Sequence, residues 1–206
     1  MADIEGPSGT DPSPVGAGGL LHLPKGLPVP VDDGAASHLE GASMPRLSLP
    51  ATDGTSIAVD TPAAGYTRLV LYAYPRTGRP NEAPLTADWD EIPGARGCTP
   101  ESCGFRDHAA DLAAMGAIVV GVSTQSTGYQ REAAQRLQLP FPLLSDADLQ
   151  LARALRLPTF EAGGLTLLKR ITMVVKDGLI ERVFYPVFPP DSHAAEVLDW
   201  VRHHRR

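Results

Sequence analysis

The two cysteines of this 206-residue chain, Cys98 and Cys103, lie within one short stretch, residues 97–107 (GCTPESCGFRD). The stretch carries the pattern of a helix start. Pro100 suits a first helical position, because the amide proton that proline lacks would have no partner there, and Thr99 before it is a suitable N-cap. The pattern places Cys98 in or beside the first turn of a helix, where the dipole and the unpaired amides favour a thiolate.

Apolar residues at helical spacing extend this helix to a predicted stop at Gly116. Within such a helix, Cys103 lies about 140° around from Cys98, with the two Cα atoms roughly 8 Å apart. A disulfide needs Cα atoms closer than about 7 Å. A bond between these cysteines therefore requires the start of the helix to unwind.

A reactive thiol also needs a cation nearby. An ordinary thiol with a pKa of about 8.5 is only about 3% thiolate at neutral pH, whereas a pKa of about 6 gives about 90%. The best candidate is Arg170 in the stretch 168–174 (LKRITMV), because alternation puts it on an apolar strand face, where a buried charge needs a partner. The alternative is that Arg170 lies on an edge strand with its side chain in solvent. Arg106 ranks second, since its position suits pairing with Asp107 or Asp111.

Two other interpretations of the cysteines compete with redox chemistry. A free cysteine is often a small buried hydrophobe, which suits Cys103 beside Phe105 better than Cys98 among loop residues. A metal site of Cys98, Cys103 and His108 is disfavoured, because spacings of five spread the three side chains around a helix. We therefore expect no metal centre.

Composition narrows the function classes. The net charge of −6 and the lack of a basic stripe argue against nucleic-acid binding. We expect no secretory signal and no membrane association, because the first residues lack a basic and an apolar region and no apolar run reaches about 20 residues. Two cysteines are too few for a disulfide scaffold, and in the cytoplasmic protein that we expect, a close pair more often serves redox or metal chemistry than a structural disulfide.

The chain divides into a Gly/Pro-rich N-terminal extension, residues 1–42, and a single domain, residues 43–206. Apolar runs at 68–75 and 117–123 are typical of strands that are covered on both faces. The long loop between them, residues 77–96, should be anchored by Trp89 and Ile92. Such a loop inside a compact domain is usually functional.

The remaining elements complete the fold. Helices are predicted at 129–138 and 147–156, with Asp146 as a cap of the second, followed by a strand at 166–175 and a hairpin turn at 176–178. A last helix should begin after Asp191 or Ser192. This order predicts an α/β protein with a thioredoxin-like fold, a central mixed β-sheet flanked by helices.

The stretch 97–107 resembles the active-site segment of peroxiredoxins of the Q type, also called bacterioferritin comigratory proteins. Residues 121–123 (GVS), 139–146 (LPFPLLSD) and 170–178 (RITMVVKDG) resemble later segments of that family in the same order. The resemblance implies that Cys98 is the peroxidatic cysteine, Cys103 the resolving cysteine, and Arg170 the arginine that holds the thiolate and the peroxide.

The sequence departs from the family pattern at two positions. Glu91 and Ala95 stand where the family has a proline and a Thr or Ser before the reactive cysteine. The hydroxyl that would bind the peroxide is therefore unassigned. Thr99 is the nearer candidate, and Thr77 is the other if the inserted loop folds away from the site.

The resemblance implies a peroxidase that needs no cofactor. Cys98 attacks hydrogen peroxide or an alkyl hydroperoxide and becomes a sulfenic acid. Cys103 then closes a disulfide, which a thioredoxin or a glutaredoxin-like protein reduces. The enzyme is expected to be a monomer or a homodimer. A disulfide reductase or thiol sensor without efficient peroxide turnover remains an alternative, as does a non-catalytic interaction module.

Overall fold

The computed structural model describes residues 16–204. Its strands are β1 (Ser48–Pro50), β2 (Ser56–Ala58), β3 (Arg68–Ala73), β4 (Ala117–Ser123), β5 (Leu143–Ser145), β6 (Thr159–Ala162), β7 (Leu165–Leu168), β8 (Ile171–Lys176) and β9 (Leu179–Phe184). Its α-helices are α1 (Ala17–Leu20), α2 (Cys98–Ala114), α3 (Thr127–Arg136), α4 (Gln150–Leu155) and α5 (His193–His203), and a 3-10 turn covers Trp89–Glu91.

A five-stranded mixed sheet forms the centre, in the order β5-β4-β3-β8-β9. Strands β3, β4 and β5 are parallel, whereas β8 runs antiparallel to both β3 and β9. The β8–β9 turn is the predicted one, with Asp177 and Gly178 at φ 52° and 75°. Two separate hairpins, β1–β2 and β6–β7, lie outside this sheet.

Strand β3 is buried along its whole length because both faces of the sheet are covered. Val70 and Tyr72 face an apolar cluster that includes residues of α2 and α5, whereas Leu69 and Leu71 face a second cluster that includes residues of α4. The apolar run at 68–75 therefore has the buried character that its sequence predicts.

The strand predicted at 166–175 is two strands. Strand β7 ends at Leu168 and β8 begins at Ile171, so Arg170 lies in the break between them rather than on a strand face. Strand β7 pairs instead with β6 in a hairpin that was not predicted. The signal for it was the Gly163-Gly164 pair, and both glycines have positive φ.

The predicted helices are present with shifted ends. Helix α3 begins at Thr127, and its N-cap Ser126 accepts a hydrogen bond from the Tyr129 amide at 3.3 Å. Helix α4 is shorter than predicted, yet the Asp146 carboxylate does cap it, accepting from the amides of Leu151 and Ala152 at 3.0 and 2.9 Å. Ser192 is the N-cap position of α5, but its hydroxyl does not bind a helix amide.

Residues 1–15 of the predicted N-terminal extension lie outside the described residues. The rest of the extension packs on the domain. Leu39 is fully buried in the core, and the Gly41 amide donates to the Ile180 carbonyl of β9 at 2.8 Å. Within residues 16–204, no helix is both long enough and apolar enough to cross a membrane.

Candidate active site

Helix α2 begins at Cys98 itself. Gly97 is the N-cap, at a left-handed φ of 108°, which favours glycine. A Cβ atom there would also lie 2.4 Å from Cγ of Pro190 and 2.8 Å from Cδ2 of Leu23. The prediction that Thr99 caps the helix is therefore wrong, because the left-handed glycine starts the helix before Thr99 is reached.

Three elements surround the Cys98 sulfur. Arg170, between β7 and β8, places Nη2 3.3 Å from Sγ. The loop before α2 provides the Ala95 carbonyl, which accepts from the thiol at 3.7 Å. The backbone amide of Arg76, just after β3, donates to the sulfur. Cys98 is only 3% exposed, so these polar groups act on a thiol that is nearly removed from water.

Arg170 is held from two directions. Its Nη1 forms an ion pair with the Glu101 carboxylate, and both side chains are almost fully buried. Its Nη2 also donates to the carbonyls of Gly94 and Arg96 at 3.3 and 3.2 Å. The guanidinium is thereby fixed toward Cys98. Arg106, the second candidate, instead binds Asp107 at 2.8 Å and does not reach the sulfur.

Burial raises the pKa of the Cys98 thiol above its ordinary value. The charge of Arg170 and the Arg76 amide lower this pKa, but Glu101 raises it by offsetting the arginine. Burial therefore opposes the thiolate that the helix start and Arg170 were expected to favour. Arg170 contacts the sulfur as predicted, although not from a strand face, and burial together with the Glu101 carboxylate outweighs its effect on the pKa of Cys98.

The role of Glu101 can be measured directly. A Glu101→Gln change in a Cys103→Ser background should lower the pKa of Cys98, because it removes the negative charge that offsets Arg170. Only the thiolate reacts with the alkylating reagent, so the alkylation rate of Cys98 rises with pH around its pKa. In the Glu101→Gln variant this rise should occur at lower pH. The measurement is the rate of iodoacetamide labelling across a pH series.

Asp111→Asn is the matched control, because it removes one exposed charge from the same helix. It should leave the pH profile unchanged. If the profile of a folded Glu101→Gln variant stayed in place or moved upward, Glu101 would not be setting the pKa of Cys98.

Cys103 lies on the same helix, half-buried, and both cysteines are free thiols. Burial raises the pKa of Cys103 as well. Directly after it the helix is tightly packed: a Cβ atom on Gly104 would lie 3.3 Å from Cβ of Ala194 in α5. The Phe105 ring stacks on Tyr72 with 4.4 Å between centroids.

The two threonines are placed differently. Thr99 lines the same pocket as Cys98. Thr77 does not line it, because its hydroxyl and its amide both bind Oε1 of Gln125, at 3.1 and 2.9 Å. Ala95 is fully buried and contributes its carbonyl rather than a hydroxyl.

Two buried polar residues near the site were missed by sequence reasoning. Glu101 is fully buried, and His193 at the start of α5 contacts Thr172 Oγ1 at 2.9 Å through Nε2. Burial raises the pKa of the Glu101 carboxyl, and the charge of Arg170 beside it lowers that pKa. The position of Glu101, in the first turn that holds Cys98, was the available signal.

The opening beside Cys98, termed here the cysteine pocket, is a cavity of about 50 Å³. Its wall combines the start of α2, the inserted loop and the N-terminal extension. The lining residues are Leu20, Arg76, Gly78, Glu82, Ala83, Pro84, Leu85, Trp89, Arg96, Gly97, Cys98, Thr99, Pro100 and Tyr129. Trp89 anchors the loop as predicted, packing with Ala95, Ala162 and Leu167.

Comparison with known proteins places this geometry in a family. The Redoxin family model matches residues 39–198. Peroxiredoxin Bcp of Escherichia coli (strain K12) is 30% identical over 168 residues, covering 80% of this chain and 96% of the relative. The chloroplastic peroxiredoxin Q of Gentiana triflora is 29% identical over 189 residues, covering 89% and 78%.

A solved structure agrees with these relatives. Peroxidoxin BcpB from Mycobacterium tuberculosis superposes with a TM-score of 0.67 at 28% identity, covering 82% of this chain and 100% of that one. The predicted thioredoxin-like fold is confirmed. The chain belongs to the Redoxin family and, within it, is a peroxiredoxin of the Q or Bcp type, a thiol peroxidase.

Proposed function

We propose that Cys98 is the peroxidatic cysteine of this enzyme and that Arg170 activates it. The 3.3 Å contact between Nη2 of Arg170 and Sγ of Cys98, at the base of a pocket, carries the proposal. An arginine at this position favours the thiolate and also donates to a peroxide oxygen as negative charge develops there. Of the two threonines, we assign the hydroxyl that binds the peroxide to Thr99, because Thr77 is bound to Gln125.

The first chemical step oxidises the sulfur. The Cys98 thiolate attacks one oxygen of the hydroperoxide, the S–O bond forms and the O–O bond breaks. The products are a sulfenic acid and an alkoxide or hydroxide, which takes a proton and leaves as alcohol or water. Arg170 and the Arg76 amide favour the thiolate that this step requires, whereas burial of Cys98 opposes it.

We propose that Cys103 then resolves the sulfenic acid. Its thiolate attacks the Cys98 sulfur, an S–S bond forms, and the sulfenic oxygen leaves as water after protonation. The start of α2 must unwind for this step, because both cysteines lie on one helix. A thioredoxin or a glutaredoxin-like dithiol then reduces the disulfide by exchange. A free thiol pair suits a reducing compartment, so we expect a cytoplasmic enzyme, monomeric or homodimeric.

The Cys103→Ser variant tests this division of roles. It should form the Cys98 sulfenic acid in a single turnover at a rate near that of the wild type, because Cys98 and Arg170 are unchanged. Its steady-state turnover with thioredoxin should fall to a few per cent or less, because no disulfide forms within the chain. The measurements are mass spectrometry after brief peroxide exposure and a coupled thioredoxin assay.

Ser102→Ala is a neighbouring control on the same turn, and it should retain turnover because it keeps both thiols. Full steady-state turnover in a Cys103→Ser variant would contradict the proposed resolving role.

A further inference from the structure

The first described segment of the chain, residues 16–23, contributes Leu20 to the wall of the cysteine pocket and is termed here the N-terminal strap. Arg96, in the loop before α2, donates from Nη2 to the Gly19 carbonyl of the strap at 2.9 Å. Leu23 lies against Gly97, where its Cδ2 would be 2.8 Å from an added Cβ atom. The strap thus contacts Arg96 and Gly97, the two residues directly before α2.

Leu20 is the strap residue that reaches the pocket. It is 8% exposed, it lines the cavity, and its Cδ2 would be 3.2 Å from a Cβ atom on Gly78. Its neighbour Leu21 is 45% exposed and does not line the cavity. Leu20 therefore closes the gap between the strap and the loop that follows β3.

The wall on the inserted loop is also bulky. Leu85 and Trp89 line the cavity, and Trp89 is buried against the β6–β7 hairpin side of the protein through Ala162 and Leu167. This packing keeps the loop wall in place. Leu20, by contrast, lies on the N-terminal strap, which the contact between Arg96 and the Gly19 carbonyl holds beside the pocket.

The size of the remaining cavity limits what can reach the sulfur. A single water needs roughly 10–15 Å³ of such volume, so the 50 Å³ of the cysteine pocket admits a molecule of a few non-hydrogen atoms. Hydrogen peroxide is that small. A hydroperoxide that carries an aromatic ring needs several times the space.

We propose that the N-terminal strap, through Leu20, sets an upper limit on the size of hydroperoxide that oxidises Cys98, making this enzyme selective for small hydroperoxides. The inference rests on the proposed peroxidatic role of Cys98. It makes Leu20 a specificity-determining residue supplied by a segment outside the central sheet.

The first experiment compares two peroxides in a Cys103→Ser background, in which the sulfenic acid persists. The rate constants of Cys98 oxidation by hydrogen peroxide and by cumene hydroperoxide are measured by rapid mixing and mass spectrometry. In Leu20→Ala, the rate constant for cumene hydroperoxide should rise about tenfold or more, in the range expected for a change of pocket size. The rate constant for hydrogen peroxide should change much less, so the readout is the ratio of the two rate constants, from which any change in the thiolate fraction of Cys98 cancels.

Leu21→Ala is the matched control, and both of its rate constants should stay at the parent values. Arg96→Gln is a second variant, which loses the contact with the Gly19 carbonyl. It should raise the ratio of the cumene hydroperoxide rate constant to the hydrogen peroxide rate constant, as Leu20→Ala does. Equal oxidation of the parent protein by both peroxides would overturn the proposal. So would an unchanged ratio in a folded Leu20→Ala protein.

A second experiment separates this inference from the proposed function. Alkylation of Cys98 by iodoacetamide and by a bulky maleimide requires no peroxidase chemistry. Leu20→Ala should accelerate labelling by the bulky reagent selectively, whereas Leu21→Ala should not. If no peroxide oxidised Cys98, the proposed function would fail, and the labelling ratio would still decide whether the strap limits access.

Discussion

Replacing Cys98 with serine is expected to abolish peroxide turnover while leaving the fold intact. The two side chains are nearly isosteric, and the site already offers donors and an acceptor at hydrogen-bond range, from Arg170, the Arg76 amide and the Ala95 carbonyl. A serine hydroxyl, however, is not ionised at neutral pH and is a far weaker nucleophile toward the O–O bond. The steady-state rate should fall at least about 10³-fold.

The measurement is hydrogen peroxide consumption in a coupled thioredoxin assay, with circular dichroism to verify folding. The Cys103→Ser variant serves as comparison, because it should still consume one equivalent of peroxide per chain. Peroxide turnover above one per cent of the wild-type rate in the Cys98→Ser variant would refute the assignment of Cys98 as the peroxidatic residue.

The second large effect is expected for Arg170→Met. This change removes the only side-chain cation that contacts the Cys98 sulfur among the described residues, so the pKa of Cys98 should rise further. It also removes a donor to the peroxide. Together these losses should lower the rate constant of Cys98 oxidation at neutral pH by roughly 10²–10³-fold.

Arg170→Met should also destabilise the fold. It leaves the fully buried Glu101 carboxylate without its ion-pair partner, which costs about 3–5 kcal/mol in free energy of unfolding. The double variant Arg170→Met, Glu101→Gln should recover part of that stability, because no unpaired charge remains. It should not recover the oxidation rate. Urea unfolding and rapid mixing measure the two quantities.

Arg182→Met is the control for loss of an arginine, since Arg182 is a half-exposed residue of β9 that does not line the pocket. Arg182→Met should change neither the free energy of unfolding nor the rate constant of Cys98 oxidation appreciably. A folded Arg170→Met protein that oxidised at the wild-type rate would exclude Arg170 from activation of the thiol.

Much of the fold was predictable because its signals are local. The buried run that forms β3, the turn at Asp177-Gly178 and the Asp146 cap each follow from the residue types at those positions. The strand break at Arg170 was not predicted. Alternation continues through the stretch 168–174, and only the pairing of β7 with β6 shows that the strand ends at Leu168.

Two members of the site, Cys98 and Arg170, were predictable from the sequence, but the electrostatics of the site were not. The helix start pointed to Cys98, and the alternation of residues 168–174 pointed to Arg170 as its partner. The alternation placed Arg170 on a strand face, however, whereas it lies between β7 and β8. The raised pKa of Cys98 depends on its burial among residues of several segments. Contacts between segments so far apart in the chain leave no pattern in any one of them. Glu101 was missed for the same reason, since its burial beside Arg170 depends on tertiary packing.

The packing of Gly104 against Ala194 bears on how far the redox cycle disturbs the molecule. Residues 98–103 carry both sulfur atoms, and directly after them the helix backbone lies against α5, with Phe105 stacked on Tyr72 of the sheet. Unwinding of α2 that begins at Gly97 can therefore release both cysteines and stop at Gly104 and Phe105, where the helix is packed against α5 and the sheet. Each catalytic cycle can rearrange one short segment while the sheet and the remaining helices stay folded.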